Sequence, residues 1–573
     1  MGTATLLRSL LFATFVQLIP GAAAAAAAAA LSLAPLWLPD MILTPGTASV
    51  VHFAVSGGGQ HPAQLTFRGQ DYRRTVPDGG WPVVAPVSSN GTASLTLTHG
   101  TGYYEYTCDQ TNQTFGFIAT PQLPKPLDER FAVVAGFTQI CNTVPVTLRE
   151  AMLAMLSRIG VRHYRDFPQQ AQLRPNASGP YDWDRVDPSG LAGRMEQLHA
   201  IDRKYDLKVL DCFGGALPWN ERTDWFDDKG KSWRWPKNLS VTADTFEAIA
   251  SHWGDTQGGI EGDNEMDTLY TADQYSVLIK AMRYGIFRSK PSSGAAPALV
   301  CGAMTDAVHS AYLELLGRNQ IFEVCDAISY HSYCDPVSAQ DDIARIRLWQ
   351  DQWNGSKTPL FISESGADFA FRWNSTDAMG NPHGLPRPSL EQGRAYAFSD
   401  VAHQIENIAI GVDRTFAFNY VYYAEGGLNY GLTGAEHTPL RALAAYATSV
   451  RFLQHKHYIG DIQNKVSPNG RGRVFANNDL SEIVACVFAG SWAHDEFSGE
   501  MQPETPPGPM WSWMMPITGA YEADGSAVSF HCAPTSGCQW GNVSTRAPNL
   551  VILGCCEVMF LHIAVLCPSR GQE

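Results

Sequence analysis

Two glutamates stand where they could do chemistry together. Glu265 closes the run Gly-Ile-Glu-Gly-Asp-Asn-Glu, and Glu364 lies 99 residues further on in Leu-Phe-Ile-Ser-Glu-Ser-Gly. Each follows a short apolar run of the kind that forms a buried strand. Strands of one parallel sheet deliver their C-terminal residues to a single face, so both carboxyls would meet there. One protonated and one ionised carboxyl facing a glycosidic bond are what retaining hydrolysis needs: an acid/base and a nucleophile. Other chemistries fit less well. A nucleophile elbow requires Gly-x-Ser-x-Gly, and in Ser363-Glu364-Ser365-Gly366 position 363 is Ser. Asp263, Glu265 and His331 could be assembled around a metal, but their spacing carries no metal-ligand signature.

The elements that must position the two glutamates are legible from about Arg130 to Gln454. Candidate strands fall at Phe131–Gly136, Val161–Asp166, Lys208–Phe213, Gly259–Asn264, Ala298–Gly302, Ala327–His331, Leu360–Glu364 and Thr415–Asn419. Amphipathic stretches such as Leu148–Ile159 and Ala272–Arg288, with apolar residues at three- and four-residue spacing, lie between them. Eight strand–helix units predict an α/β fold, a (β/α)8 barrel. A doubly wound sheet is the alternative, but no Gly-x-Gly-x-x-Gly follows the first strand. Residues 31–125 show short alternating runs, for example Ser49–Val55 and Ala93–Thr98, separated by Gly- and Pro-rich turns, and predict a β-sandwich. Pro121–Pro126 predicts a stiff linker. Short β-like runs return after 455, so the division expected is 1–30 signal peptide, 31–125 β-sandwich, 126–455 barrel and 456–573 C-terminal β-domain.

Asn264-Glu265 ending the fourth strand and Glu364 ending the seventh resemble the clan A glycoside hydrolases over the middle 325 residues or so. The flanking β-regions and the Asn-Tyr-Gly-Leu segment are similar to the family 39, β-xylosidase-like members. The resemblance implies Glu265 as acid/base, Glu364 as nucleophile, and Asn264 as the partner of the sugar 2-hydroxyl. It implies that Arg165, in Arg-His-Tyr-Arg-Asp-Phe, keeps the nucleophile ionised. His331 and Tyr333, in Ile-Ser-Tyr-His-Ser-Tyr, correspond to the strand-six pair around the nucleophile and the sugar. Trp219 and Tyr430 are candidate platforms in the cleft. The pattern departs from the clan at Asp263, where Trp is common, at Met266, where Pro is common, and in Phe416–Tyr420, which lacks the strand-eight Trp.

Composition agrees with an extracellular carbohydrate-active protein. A balance of 41 basic against 56 acidic residues, with no basic run, argues against nucleic acid and anionic membranes as partners. Arg8, the apolar stretch Leu10–Pro20 and the small-residue tract 21–30 read as a signal peptide. Seven Asn-X-Ser/Thr sequons, at Asn90, Asn112, Asn176, Asn238, Asn354, Asn374 and Asn542, suit the secretory route. Twelve cysteines permit disulfides there, with Cys325–Cys334 and Cys532–Cys538 as candidate pairs. The apolar tail Leu550–Cys567 is interrupted by Glu557 and His562 and predicts strands rather than a span. The expectation is a secreted retaining glycosidase acting on oligo- or polysaccharide without cofactor or metal. The alternative is a non-catalytic carbohydrate-binding protein built on a degenerate barrel.

Overall fold

The computed structural model describes residues 31–57, 61–71, 82–141, 144–184, 195–214, 216–222, 235–305, 308–333, 339–366, 369–370, 387–388, 390–425, 428–461, 470–489, 493–494, 501–502, 517–521, 524, 526, 531–533, 537–539 and 559–564. At its centre eight parallel strands close a barrel: β1 (Phe131–Val134), β2 (His163–Asp166), β3 (Lys208–Phe213), β4 (Gln257–Gly262), β5 (Leu299–Met304), β6 (Ala327–Ser332), β7 (Leu360–Ser365) and β8 (Arg414–Ala417). All eight candidate strands of the sequence are present. Every residue of β5, β6 and β7 is buried, because helices cover one face and the barrel lumen the other. The lower lumen is filled by Ala132, Val134, Leu210, Val300, Ala327, Phe361 and Phe416, so it is packed core rather than a channel.

The strands are not perfectly regular, and this matters for the site. From Tyr330 to His331 the partner on β7 jumps from Ile362 to Glu364, skipping Ser363. Phe361 packs in the lumen and Ile362 packs outside against the helices, so strict alternation would turn Glu364 outward. The extra residue restores the inward direction for Glu364, which is what a β-bulge does.

Before the barrel, a three-stranded sheet (Ser32–Pro35, Ser49–Ser56, Thr92–Leu97) faces a five-stranded one (Ile42–Leu43, Thr114–Ala119, Gly102–Cys108, Gln64–Asp71, Val83–Pro86). Val51, Phe53, Leu65, Phe67, Leu95, Phe115 and Phe117 fill the space between them. The outer face of the larger sheet packs on the barrel, through Tyr103 and Ile118. Gly116 permits that contact: a Cβ there would lie 1.9 Å from the Pro439 carbonyl oxygen. Buried Glu105 accepts from Arg441 at 2.9 Å across the same junction, with Arg387 also beside it.

After the barrel, His457–Asp461, Gly470–Ala476, Glu482–Ala489, Met559–Ala564 and Ile517–Tyr521 form a five-stranded antiparallel sheet. Arg473 ties it to the barrel by a two-pronged pair with buried Glu406 on helix Leu390–Ala409. The strand Met559–Ala564 comes from the apolar tail, and among the described residues no helix is long and apolar enough to cross a membrane. The Cys325–Cys334 pairing is corrected: Cys325 is bonded to Cys301, with Cα atoms 5.8 Å apart. Cys301 lies on β5 and Cys325 just precedes β6, whose residues pair Val300 with Ala327. Cys334 lies outside the described residues. Cys532 and Cys538 face each other across an antiparallel pair of strands. The segment expected as a signal peptide, Asn374 and Asn542 also lie outside the described residues.

Candidate active site

The C-terminal end of the barrel gathers most of the residues singled out in the sequence. Arg165, one residue short of the end of β2, is fully buried in the lumen and serves as the hub. Its Nη1 lies 2.5 Å from Glu364 Oε1, and its Nη2 donates to Asn264 Oδ1 at 2.8 Å. A guanidinium can do this because its donors form a rigid planar fork. Burial alone would lower the Arg165 pKa, but the carboxylates of Glu261 and then Glu364 raise it well above the ordinary arginine value, so the cation is permanent.

Glu364 is buried, whereas Glu265 is partly open to solvent. The backbone turns sharply to present Glu265: Asp263 has φ 69° and Glu265 φ 49°. Left-handed conformations at two non-glycine residues so close together are strained, and such strain concentrates at functional sites. Asp263 anchors the turn, accepting from the Asn264 amide at 2.8 Å and from Tyr270 Oη at 2.7 Å.

His331, inward on β6, stands between the two carboxylates, its Nδ1 3.6 Å from both Glu265 Oε1 and Glu364 Oε2. Two oxygens each 3.6 Å from one nitrogen are at most 7.2 Å apart. Measured between carboxyl groups rather than single oxygens, that limit accommodates both the roughly 5–5.5 Å of retaining pairs and the roughly 6.5–9.5 Å of inverting ones. Burial lowers the His331 pKa, but the Glu364 charge and the interaction with Glu265 more than offset it, and the net direction is upward. For Glu265 burial acts upward, yet His331 and then Arg165 hold the carboxyl below its ordinary value. The two directions together favour a protonated His331 beside an ionised Glu265.

Tyr333 donates its hydroxyl to Glu364 Oε2. Burial, then the Glu364 charge, push its pKa far up, so it remains a neutral donor. Its ring stands edge-on to Phe418 at 5.7 Å and to Tyr430 at 6.3 Å. Tyr430 thus belongs to the aromatic wall behind Tyr333. Trp219 is placed differently. Its Nε1 donates to the Arg174 carbonyl at 3.2 Å and the Arg174 guanidinium lies 5.2 Å from its ring, so its described partner is a neighbouring loop and not the carboxylate cluster.

Sequence reasoning missed Glu261, Phe167 and Ser329. Glu261 is fully buried on β4 and accepts from Arg165 Nε at 2.6 Å; Phe167 lies under the guanidinium at 4.5 Å. A charged residue inside an otherwise apolar strand run, two before Asp263, was the available signal. Among the described residues no group of three or more His, Cys, Asp or Glu side chains is arranged to hold a metal ion.

No family model matches the chain, and no curated protein matches it in sequence. Similarity appears in three dimensions. A family 39 glycoside hydrolase from the gut symbiont Bacteroides cellulosilyticus WH2 superimposes with a TM-score of 0.63 over 92% of this chain and 100% of the other, at 11% identity. A family 30 subfamily 8 xylanase from Clostridium acetobutylicum (TM-score 0.47, 10% identity, 77% and 98% coverage) and a family 39 β-xylosidase from Caulobacter crescentus (0.45, 13%, 77% and 97%) match more loosely. The chain has a family 39-like glycoside hydrolase fold, a (β/α)8 barrel with flanking β-sheets.

Proposed function

We propose that this protein is a retaining glycoside hydrolase that cleaves O-glycosidic bonds in oligo- or polysaccharides by double displacement. The observation that carries the reading is the Arg165 fork, which binds Glu364 and Asn264 at once within reach of Glu265 and His331. In this reading Glu364 is the nucleophile. Arg165 and Tyr333 aim its two oxygens, and one oxygen attacks the anomeric carbon as the aglycone leaves. Asn264, its carbonyl oxygen held by Arg165, directs its amide N–H toward the sugar 2-hydroxyl. Glu265 delivers the proton to the departing oxygen. That proton comes from His331, 3.6 Å away, when bound sugar excludes water and burial raises the affinity of Glu265 for it. Conversion of Glu364 to a glycosyl ester removes one negative charge, and Glu265 then acts as base toward water in the second step.

Secretion and glycosylation belong to the same proposal. The asparagines of the five described sequons, Asn90, Asn112, Asn176, Asn238 and Asn354, are all exposed, and the Cys301–Cys325 disulfide suits an oxidising compartment. The test is release of reducing sugar by purified protein from β-glucans, xylans, galactans and aryl glycosides, with Glu364→Gln alongside. Activity that vanishes in the variant supports the reading and identifies the sugar. Silence from both proteins, with retained glycan binding, replaces it with a carbohydrate-binding barrel.

A further inference from the structure

We propose that Glu261 is the positioning residue that aims Arg165 at the nucleophile and at Asn264; the inference rests on the glycosidase reading and deepens it. Arg165 is stacked on Phe167, with its guanidinium carbon 4.5 Å from the ring centroid. That ring supports the cation from one side but leaves it free to turn. A bond at Nε removes the remaining freedom, because the donors of the fork are rigidly related. Glu261 Oε2 supplies that bond at 2.6 Å. Nη1 is then directed to Glu364 and Nη2 to Asn264.

Glu261 is itself held. Its Oε1 accepts from Ser329 Oγ at 2.6 Å, and Ser329 Oγ in turn accepts from the Ala303 amide at 2.6 Å. The Ala303 amide is presented by an irregular stretch of β5, where the register with β6 shifts between Cys301 and Met304 and Ala303 has φ 45°. The relay runs from the β5 backbone through β6 and β4 to β2, entirely within the buried lumen. Glu261, Ser329 and Arg165 are each completely shielded from solvent. A simple counter-ion to Arg165 is already present in Glu364, so a second carboxylate with both oxygens fixed is more than neutralisation demands.

Three proteins test this: wild type, Glu261→Ala and Glu261→Gln. Each is assayed on an aryl glycoside with active sites counted by burst titration. Glu261→Ala is expected to lose on the order of 100-fold in kcat per active site with KM within about 3-fold of wild type, the pattern of misaligned chemistry rather than lost binding. Glu261→Gln keeps an acceptor for Nε and is expected within about 10-fold of wild type. Unchanged kcat in Glu261→Ala, or a Gln variant as poor as the Ala variant, overturns the positioning role; the second result would make Glu261 a charge balance only. Crystal structures of Glu261→Ala and wild type give a readout independent of turnover. Arg165 swung off Glu364 and Asn264 supports the proposal, and an unmoved Arg165 overturns it. An inactive wild type with a displaced Arg165 in the variant refutes the glycosidase reading and leaves the positioning geometry standing.

Discussion

Arg165 and Glu364 are 199 positions apart in the chain, yet Nη1 of one lies 2.5 Å from Oε1 of the other, both buried. Replacing Arg165 by Lys keeps the charge and removes the fork, since one ammonium cannot span Glu261, Glu364 and Asn264 in fixed directions. Arg165→Lys should lower kcat on the order of 100-fold. Arg165→Met, which strips the cation from two buried carboxylates, should cost about 3–5 kcal/mol of stability. Steady-state kinetics and urea denaturation measure the two effects separately. A Lys variant as active as wild type would show that charge alone suffices.

Glu265→Gln removes the proton donor and base without changing shape. Substrates with poor leaving groups should slow by roughly 10³-fold, while the first step on activated aryl glycosides should fall less than about 10-fold. Comparing the leaving-group dependence of kcat/KM in the two proteins checks this. Equal losses on both classes would remove Glu265 from the acid role.

His331 allows a pH prediction whose sign separates two roles. If it stores the proton for Glu265, wild-type kcat/KM should hold above pH 6.5, the ordinary histidine value from which His331 is raised. His331→Asn should then move the alkaline limb to lower pH, because Glu265 must keep the proton unaided. If His331 were only a fixed positive neighbour, its removal would raise Glu265 and move the limb upward. The same shift contributes to stability. A histidine whose folded pKa is raised gives its full contribution below about pH 6.5 and loses it as pH rises through the folded value. Thermal melts of His331→Asn should lack that slope.

The Cys301–Cys325 bond closes a loop of sequence separation 24 between β5 and β6. The chain-entropy model assigns such a loop about 3 kcal/mol. Cys325→Ser should lower Tm by several degrees, and reductant should lower the wild-type Tm toward the variant while leaving the variant unchanged. Identical melts in all four conditions would mean the thiols are not bonded in the mature protein.

Much of this architecture was written locally. Apolar runs of five or six residues separated by amphipathic stretches can satisfy their backbone and bury both faces only in a helix-covered parallel sheet, so eight such units already imply the barrel. Chemistry at one end of that barrel follows, and with it the placement of Asn264, Glu265 and Glu364 near one another. What the linear order could not reveal depends on pairing between distant strands. Alternation along β7 would turn Glu364 outward; only its register against β6, with Ser363 skipped, turns it inward. Trp219 carried a suitable side chain after the right strand, and the fold sets its indole against Arg174. Cys325 took Cys301 as partner because strand neighbours, not sequence neighbours, bring thiols within reach. Glu261 is an acid inside an apolar run, and its partners on β2 and β6 emerge only when the barrel closes. Residue type and period are local properties of a chain, whereas the direction of a side chain at a barrel's end is set by the strands on either side.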